Sequence, residues 1–196
     1  RLNLAAFYND VSNMQTVKTA TGGTEIFNAG SAEIYGLEIE TEWAATAALT
    51  LNGGFSVQDS KYDKFPVGPS AIDGTATPIN TDLTGNEVIL APDFTGSVGF
   101  TYDLPVPTGA LALNAQYFYS SSFFFTVDNS LEQDSYSLVN ASLTWTAPGD
   151  TFNVRLWGRN LGDEKYAALG EFAAGIGPYY QAAEPRTYGI AVGVHF

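Results

Sequence analysis

Apolar and polar residues alternate along most of this chain with a period of two. The clearest run is at the carboxy terminus, where Tyr188, Ile190, Val192, Val194 and Phe196 fall on one side and Thr187, Gly189, Ala191, Gly193 and His195 on the other. A strand sends successive side chains to opposite faces, so this spacing predicts a strand with one wholly apolar face and one small or polar face. The same test predicts about eight such strands. Leu2, Leu4, Ala6 and Tyr8 oppose Asn3, Ala5, Phe7 and Asn9, and Tyr35, Leu37, Ile39 and Trp43 oppose Gly36, Glu38, Glu40 and Glu42. Further strands carry Leu49, Leu51, Phe55 and Val57; Phe94, Val98, Phe100 and Tyr102; and Leu111, Leu113, Ala115, Tyr117 and Tyr119. Val139, Ala141, Leu143 and Trp145 mark the sixth, and Phe152, Val154 and Leu156, opposite Asn153, Arg155 and Arg159, the seventh.

The connections follow a parity of their own. Counted back from Phe196 they run long (161–184), short (Ala147–Asp150), longer (121–134), compact (Asp103–Gly109), long (59–91), short (Ala44–Ala47) and longer (14–31). A soluble sandwich gives no reason for this order. A transmembrane barrel does, because its periplasmic turns are short and its extracellular loops long. Aromatics near strand ends (Tyr8, Trp43, Tyr102, Tyr119, Trp145, Phe196) suit an interfacial girdle. The predicted fold class is therefore all-β, an antiparallel transmembrane β-barrel segment of about eight strands with short periplasmic turns and long extracellular loops.

Composition agrees. Only 15% of the 196 residues are charged and 14% are aromatic, against about 25% charged in an average soluble domain. No apolar run reaches the ~18–20 residues of a membrane helix, so spanning must be by strands. The net charge of −13 excludes a nucleic-acid surface. With one histidine and no cysteine, neither a structural zinc site nor thiolate chemistry is expected, and no cofactor is. His195 has no motif-placed acid or nucleophile around it, so no enzyme activity is expected either.

Several segments resemble one family. Asn28-Ala-Gly30 with Ala32-Glu-Ile-Tyr-Gly-Leu-Glu-Ile-Glu40 resembles the N-x-G … G-x-E-x-E strand of TonB-dependent outer-membrane receptors. Glu87-Val-Ile-Leu-Ala-Pro-Asp93 is similar to the segment leading into a following strand. Val154 to Tyr166 is similar to the N-L-x-D-x-x-Y segment, and Pro185 to Phe196 to the closing strand. The resemblance covers essentially the whole chain in the family's order. It implies that residues 1–196 are the carboxy-terminal part of a receptor barrel of about 22 strands, with the plug domain and the TonB-contacting segment lying outside this chain. It implies a protein of the bacterial outer membrane that takes up a scarce nutrient, foremost a ferric siderophore, with outer-membrane lipid, its plug, TonB and the barrel-assembly machinery as partners. The alternative is a small self-contained eight-strand barrel with an adhesive or structural role, since eight strands can close.

The candidate residues follow. Loop aromatics Phe123, Phe124, Phe125, Phe172, Tyr179 and Tyr180 are candidates for stacking on a small ligand, with loop packing as the plainer reading. Glu38, Glu40 and Glu42, about 7 Å apart along one strand face, and Arg155 and Arg159 are candidates for lining the lumen and meeting the plug. By the resemblance, Tyr188, Val192, Val194 and Phe196 form the signal read during barrel assembly. Asp59, Asp63, Asp73, Asp82 and Glu87 lack the regular spacing of a calcium loop and read as a solvated acidic connection.

Overall fold

A computed structural model of the chain describes residues 1–20, 23–70, 79–173 and 177–195. Eight long strands form one sheet: β1 (Leu2–Ala20), β2 (Gly23–Ala44), β3 (Leu49–Lys64), β4 (Phe94–Val106), β5 (Gly109–Ser120), β6 (Tyr136–Thr146), β7 (Phe152–Arg159) and β8 (Thr187–Val194). Each pairs antiparallel with its sequence neighbours, in spatial order β1 to β8. The ends do not join, since among the described residues β1 and β8 share no ladder. This overturns the closed eight-strand alternative.

Register fixes the two faces. Residues paired across an antiparallel ladder point the same way, so the rows Ala6–Leu37–Val57 and Trp43–Leu51–Phe100 share one side. That side is apolar yet open: Leu4, Leu37, Trp43, Val57, Leu156, Ile190 and Val192 are all exposed, and Tyr188 is 80% exposed. A wall that presents its hydrophobic residues outward is suited to hydrocarbon. Along β2 the apolar band runs from Trp43 to Tyr35, eight residues or about 27 Å at the rise of an extended strand. Above it the outward row turns polar at Asp10 and Glu33, which pair directly, and the Tyr8 hydroxyl donates to Glu33 at 3.2 Å.

The turn ends are tight. Thr46 closes the β2–β3 turn by accepting the Ala48 and Leu49 amides on its Oγ1, at 3.2 and 3.0 Å. Pro148–Asp150 makes a single 3-10 turn between β6 and β7. The compact connection expected over 103–109 is shorter still, because β4 extends to Val106 and pairs it with Gly109.

The connection expected over 14–31 is instead strand, β1 and β2 continuing as a paired ribbon to Ala20 and Gly23. Beyond the apolar band no lipid face imposes an alternation of hydrophobicity, while the backbone ladder persists. A bulge at Asn13 and Met14 interrupts it. Opposite, Gly30 has φ +93, and a Cβ there would collide with the Lys64 carbonyl; only glycine meets both demands. The other long connections carry small hairpins: Gly68–Ser70 with Ile79–Thr81, Phe123–Phe124 with Glu132–Gln133, and Ala167–Ala173 with Gly177–Ala182.

The buried core is at the loop end. Ala32 and Tyr62, on the inner face of β2 and β3, lie with Phe65, Leu83, Val88 and Val127 in one cluster, and Met14, Ile34, Ile89 and Ala91 pack around it. Residues 65–70 and 79–93 thus fold inward over the sheet's inner face. Leu83 is among the largest fully buried side chains. Leu83→Ala is expected to cost about 2–5 kcal/mol of local stability, read as faster amide exchange across 79–93 with the barrel ladder unchanged.

Candidate functional site

The inner face of the wall is divided by charge. Glu38, Glu40 and Glu42 project from β2 on the face opposite Leu37 and Ile39, all three exposed. Asn3 donates to Glu40 at 3.3 Å, and among the described residues no basic side chain pairs with the row. From Glu42 the same cross-sheet line continues through Asn52, Gly99, Gln116 and Asn140. Arg155 and Arg159 stand on the inner face of β7 at its far end. Five strand spacings separate β2 from β7, about 24 Å along the wall. That exceeds the ~8 Å Debye length at physiological salt, so the acidic and basic ends do not neutralise each other.

An open cavity of about 430 Å³ lies against the basic end, lined by Asn52, Asn114, Asn140, Ser142, Arg155 and Arg159 among others. The Arg159 guanidinium sits 5.7 Å from the Trp157 ring centre and 3.9 Å from the Glu184 carboxylate, both partners largely in water. Trp157 in turn lies flat along β8, where a Cβ at Gly189 would stand 2.7 Å from its ring. Gly189 thus leaves room for this ring, and Gly193 further along the strand leaves room for Asn153.

The loop aromatics come together at the loop end of the strands. Phe123 and Phe125 meet edge to face at 5.2 Å, and Phe125 meets Tyr180 at 6.2 Å. This joins the two groups that the sequence placed in separate loops. Phe125 is buried, its ring lying over Gly170, so its faces serve packing. Phe123, Phe124 and Phe172 are half-buried, while Tyr179 and Tyr180 are exposed. The Tyr179 hydroxyl donates to Glu171 at 2.7 Å, and that bond raises its pKa above the ordinary phenol value. Tyr188, Val192 and Val194 lie on the lipid side; Phe196 and Asp73 fall outside the described residues.

One organising residue was not foreseen as such. Asn160, 4% exposed, ends β7 with φ +48, a backbone state that asparagine tolerates better than most residues. Its amide nitrogen donates to the Glu164 and Glu184 carbonyls at 2.8 and 3.2 Å, and its Oδ1 accepts the Glu164 N–H at 2.8 Å. Its own N–H donates to Asn140 at 3.0 Å. One side chain therefore ties the start of the last connection to its end. Arg186 reaches Asp163 at 3.4 Å, and Tyr166 stacks on Tyr136 at 4.5 Å. The signal was visible as the Asn-Leu-x-Asp-x-x-Tyr run from Asn160 to Tyr166; what its residues bond to was not.

Residues 1–161 match the sequence model of the TonB dependent receptor-like β-barrel. The chain belongs to the TonB-dependent receptor family. It is accordingly an outer-membrane protein. Among similar sequences, the pesticin receptors of Yersinia enterocolitica and Yersinia pestis are each 25% identical over all 196 residues. Among solved structures, the ferric yersiniabactin uptake receptor FyuA from Yersinia pestis superposes on the whole chain with TM-score 0.81 at 24% identity. The siderophore receptor PiuA from Acinetobacter baumannii covers 97% of it with TM-score 0.74 at 20% identity. The chain spans 27% of the length of the pesticin receptors and of FyuA, and 25% of PiuA. At these identities the superpositions establish the fold of a TonB-dependent receptor wall.

Proposed function

We propose that this chain is the carboxy-terminal part of a longer receptor barrel that takes up a ferric siderophore. The observation that carries this reading is the open eight-strand wall with a lipid-facing apolar side and a charge-divided inner side, in a member of this family. Such a sheet leaves unpaired backbone along β1 and β8, which hydrocarbon does not tolerate, so further strands of the receptor must close it. A plug domain would fill the lumen, with its basic groups toward Glu38, Glu40 and Glu42 and its acidic groups toward Arg155 and Arg159. The ferric siderophore is supported by two similar proteins, a ferric yersiniabactin uptake receptor and a siderophore receptor.

In this reading the loops capture the chelate at the outer mouth. Tyr179, Tyr180, Phe123, Phe124 and Phe172 offer aromatic surface there, with Phe125 as the packing centre that holds Tyr180. The plug keeps the lumen shut until a pull transmitted through TonB rearranges it, and the wall serves as a rigid scaffold. The outward residues Tyr188, Val192 and Val194, with Phe196 after them in the sequence, serve as the feature read by the barrel-assembly machinery. The test is uptake of radioactive iron, supplied as ferric yersiniabactin and as a ferric catecholate, into cells whose only such receptor is the intact protein. Uptake of either chelate is expected and is abolished by deleting TonB. Iron entry that persists without TonB, or none from either chelate, overturns the reading.

A further inference from the structure

Two long connections are joined, through residues 79–93 of one and 121–134 of the other, more closely than their separation in sequence requires. The joint is centred on Asn129. Its side-chain Oδ1 accepts the Glu87 N–H at 2.9 Å, and its Nδ2 donates to the Glu87 carbonyl at 3.1 Å. A side-chain amide thus pairs with one residue's backbone as a neighbouring strand would. Three further links flank it. Asn86 donates to the Val127 carbonyl at 3.0 Å. The Leu90 N–H donates to the Phe124 carbonyl at 2.9 Å. Val127 is buried in the same cluster as Leu83, Val88, Tyr62 and Ala32.

Residues 79–93 and 121–134 are thereby seated on the inner face of β2 and β3, over the mouth of the lumen. Within the second of them, Asn129 holds φ +53, and Asp128 braces the turn by accepting from the Ser130 hydroxyl at 2.6 Å. The turn that presents Asn129 is therefore held by bonds of its own as well as by those to Glu87. Repulsion opposes the joint, for burial together with Asp93, Glu132 and Asp59 raises the Glu87 pKa. The hydrogen bonds and the shared core hold the loops together against that charge.

We infer that residues 65–70, 79–93 and 121–134 form one preassembled cap, with Asn129 as its positioning residue, and that this cap presents the Phe123–Phe124 strip at the mouth in a fixed orientation. The last connection, 161–186, is built differently. Asn160 clamps it at its base, Tyr166 stacks on Tyr136 at the start of β6, and it meets the cap through Phe125 with Tyr180 and the Ala167 N–H on Gln133 at 2.7 Å. The cap is the fixed part of the rim, and preorganising it reduces the ordering cost of ligand binding. The inference rests on the proposed outer-membrane receptor for what the rim faces. The coupling of the two loops is read without any ligand, so it can fail while iron uptake stands, and the reverse.

The test uses the intact receptor in outer-membrane vesicles, with spin labels at Val67→Cys and Ser135→Cys, two exposed positions away from the joint. One cap gives a single narrow distance distribution. Asn129→Gly keeps the backbone state, because glycine adopts positive φ freely, but removes both side-chain bonds. It is expected to broaden the distribution at least about twofold and to speed exchange of the Glu87 amide roughly tenfold. Asn13→Gly, the same exchange of residue at a positive-φ site in the β1 bulge, is expected to leave both readouts unchanged. A broad distribution in the unsubstituted receptor, or no response to Asn129→Gly, overturns the inference. So does an equal response to Asn13→Gly, which would mean that loosening anywhere in the outer ribbon frees the loops.

Discussion

Ile190→Arg is expected to remove most of the assembled receptor from the outer membrane. Ile190 is 70% exposed and pairs with Leu156 on the outward face, between Tyr188 above and Val192 and Val194 below. An arginine near the bilayer midplane of a β-barrel costs about 2–4 kcal/mol, less toward the interfaces. The guanidinium is long enough to bend toward the headgroups, which places the expected cost at the lower half of that range. The measurement is a urea titration of the intact receptor in lipid vesicles, followed by the heat-modifiable shift of the folded band. Asp150→Asn in the turn between β6 and β7 is the control, since it removes an exposed charge and is expected to move the midpoint little. Equal midpoints for Ile190→Arg and the unsubstituted protein would mean that this face does not meet lipid.

Asn160→Ala is expected to detach the last connection while leaving the ladder intact. The substitution strips three side-chain hydrogen bonds from a residue that is almost fully enclosed and strands the Glu164 N–H and the Glu164 and Glu184 carbonyls. Each buried group left unpaired costs about 1–3 kcal/mol, and alanine also tolerates φ +48 poorly. A total of roughly 3 kcal/mol or more is expected. It should register as rapid proteolysis and amide exchange within 161–186, with β6 to β8 still protected. Asn160→Gly, which relieves only the backbone part, is expected to fall between. If protection is lost from Ala141 to Gly158 as well, Asn160 holds the wall together and not merely the loop.

The strand faces were legible because lipid on one side and water on the other impose the period-two code directly. Tyr188 to Val194 show it without ambiguity, and so do Glu38, Glu40 and Glu42 opposite Leu37 and Ile39. The code fails where no lipid face imposes it. Residues 14–20 and 23–31 therefore read as a connection although they form a paired ribbon. It fails too where a loop carries apolar residues for its own core. Phe65, Leu83, Val88 and Val127 are spaced without period, and nothing local says that they converge on Tyr62 and Ala32.

At the candidate site the division is similar. Phe123–Phe125 and Tyr179–Tyr180 were recognisable as aromatics in two loops, but their contact through Phe125 and Tyr180 depends on chain ends more than forty residues apart in sequence. Asn160 and Asn129 look alike as single polar residues in turn-rich segments. Their importance comes from which backbone groups stand within 3 Å of their amides.

By itself, then, the sequence determined the solvent of each face: hydrocarbon outside, water within, acid on β2 and base on β7. Those are properties of residue type and parity, carried by every strand independently of its neighbours. Only the tertiary structure decided how the long connections are arranged over the lumen. Their positions depend on long-range closure of a small buried cluster and on amide groups that must find particular backbone partners, and neither leaves a repeating mark along the chain.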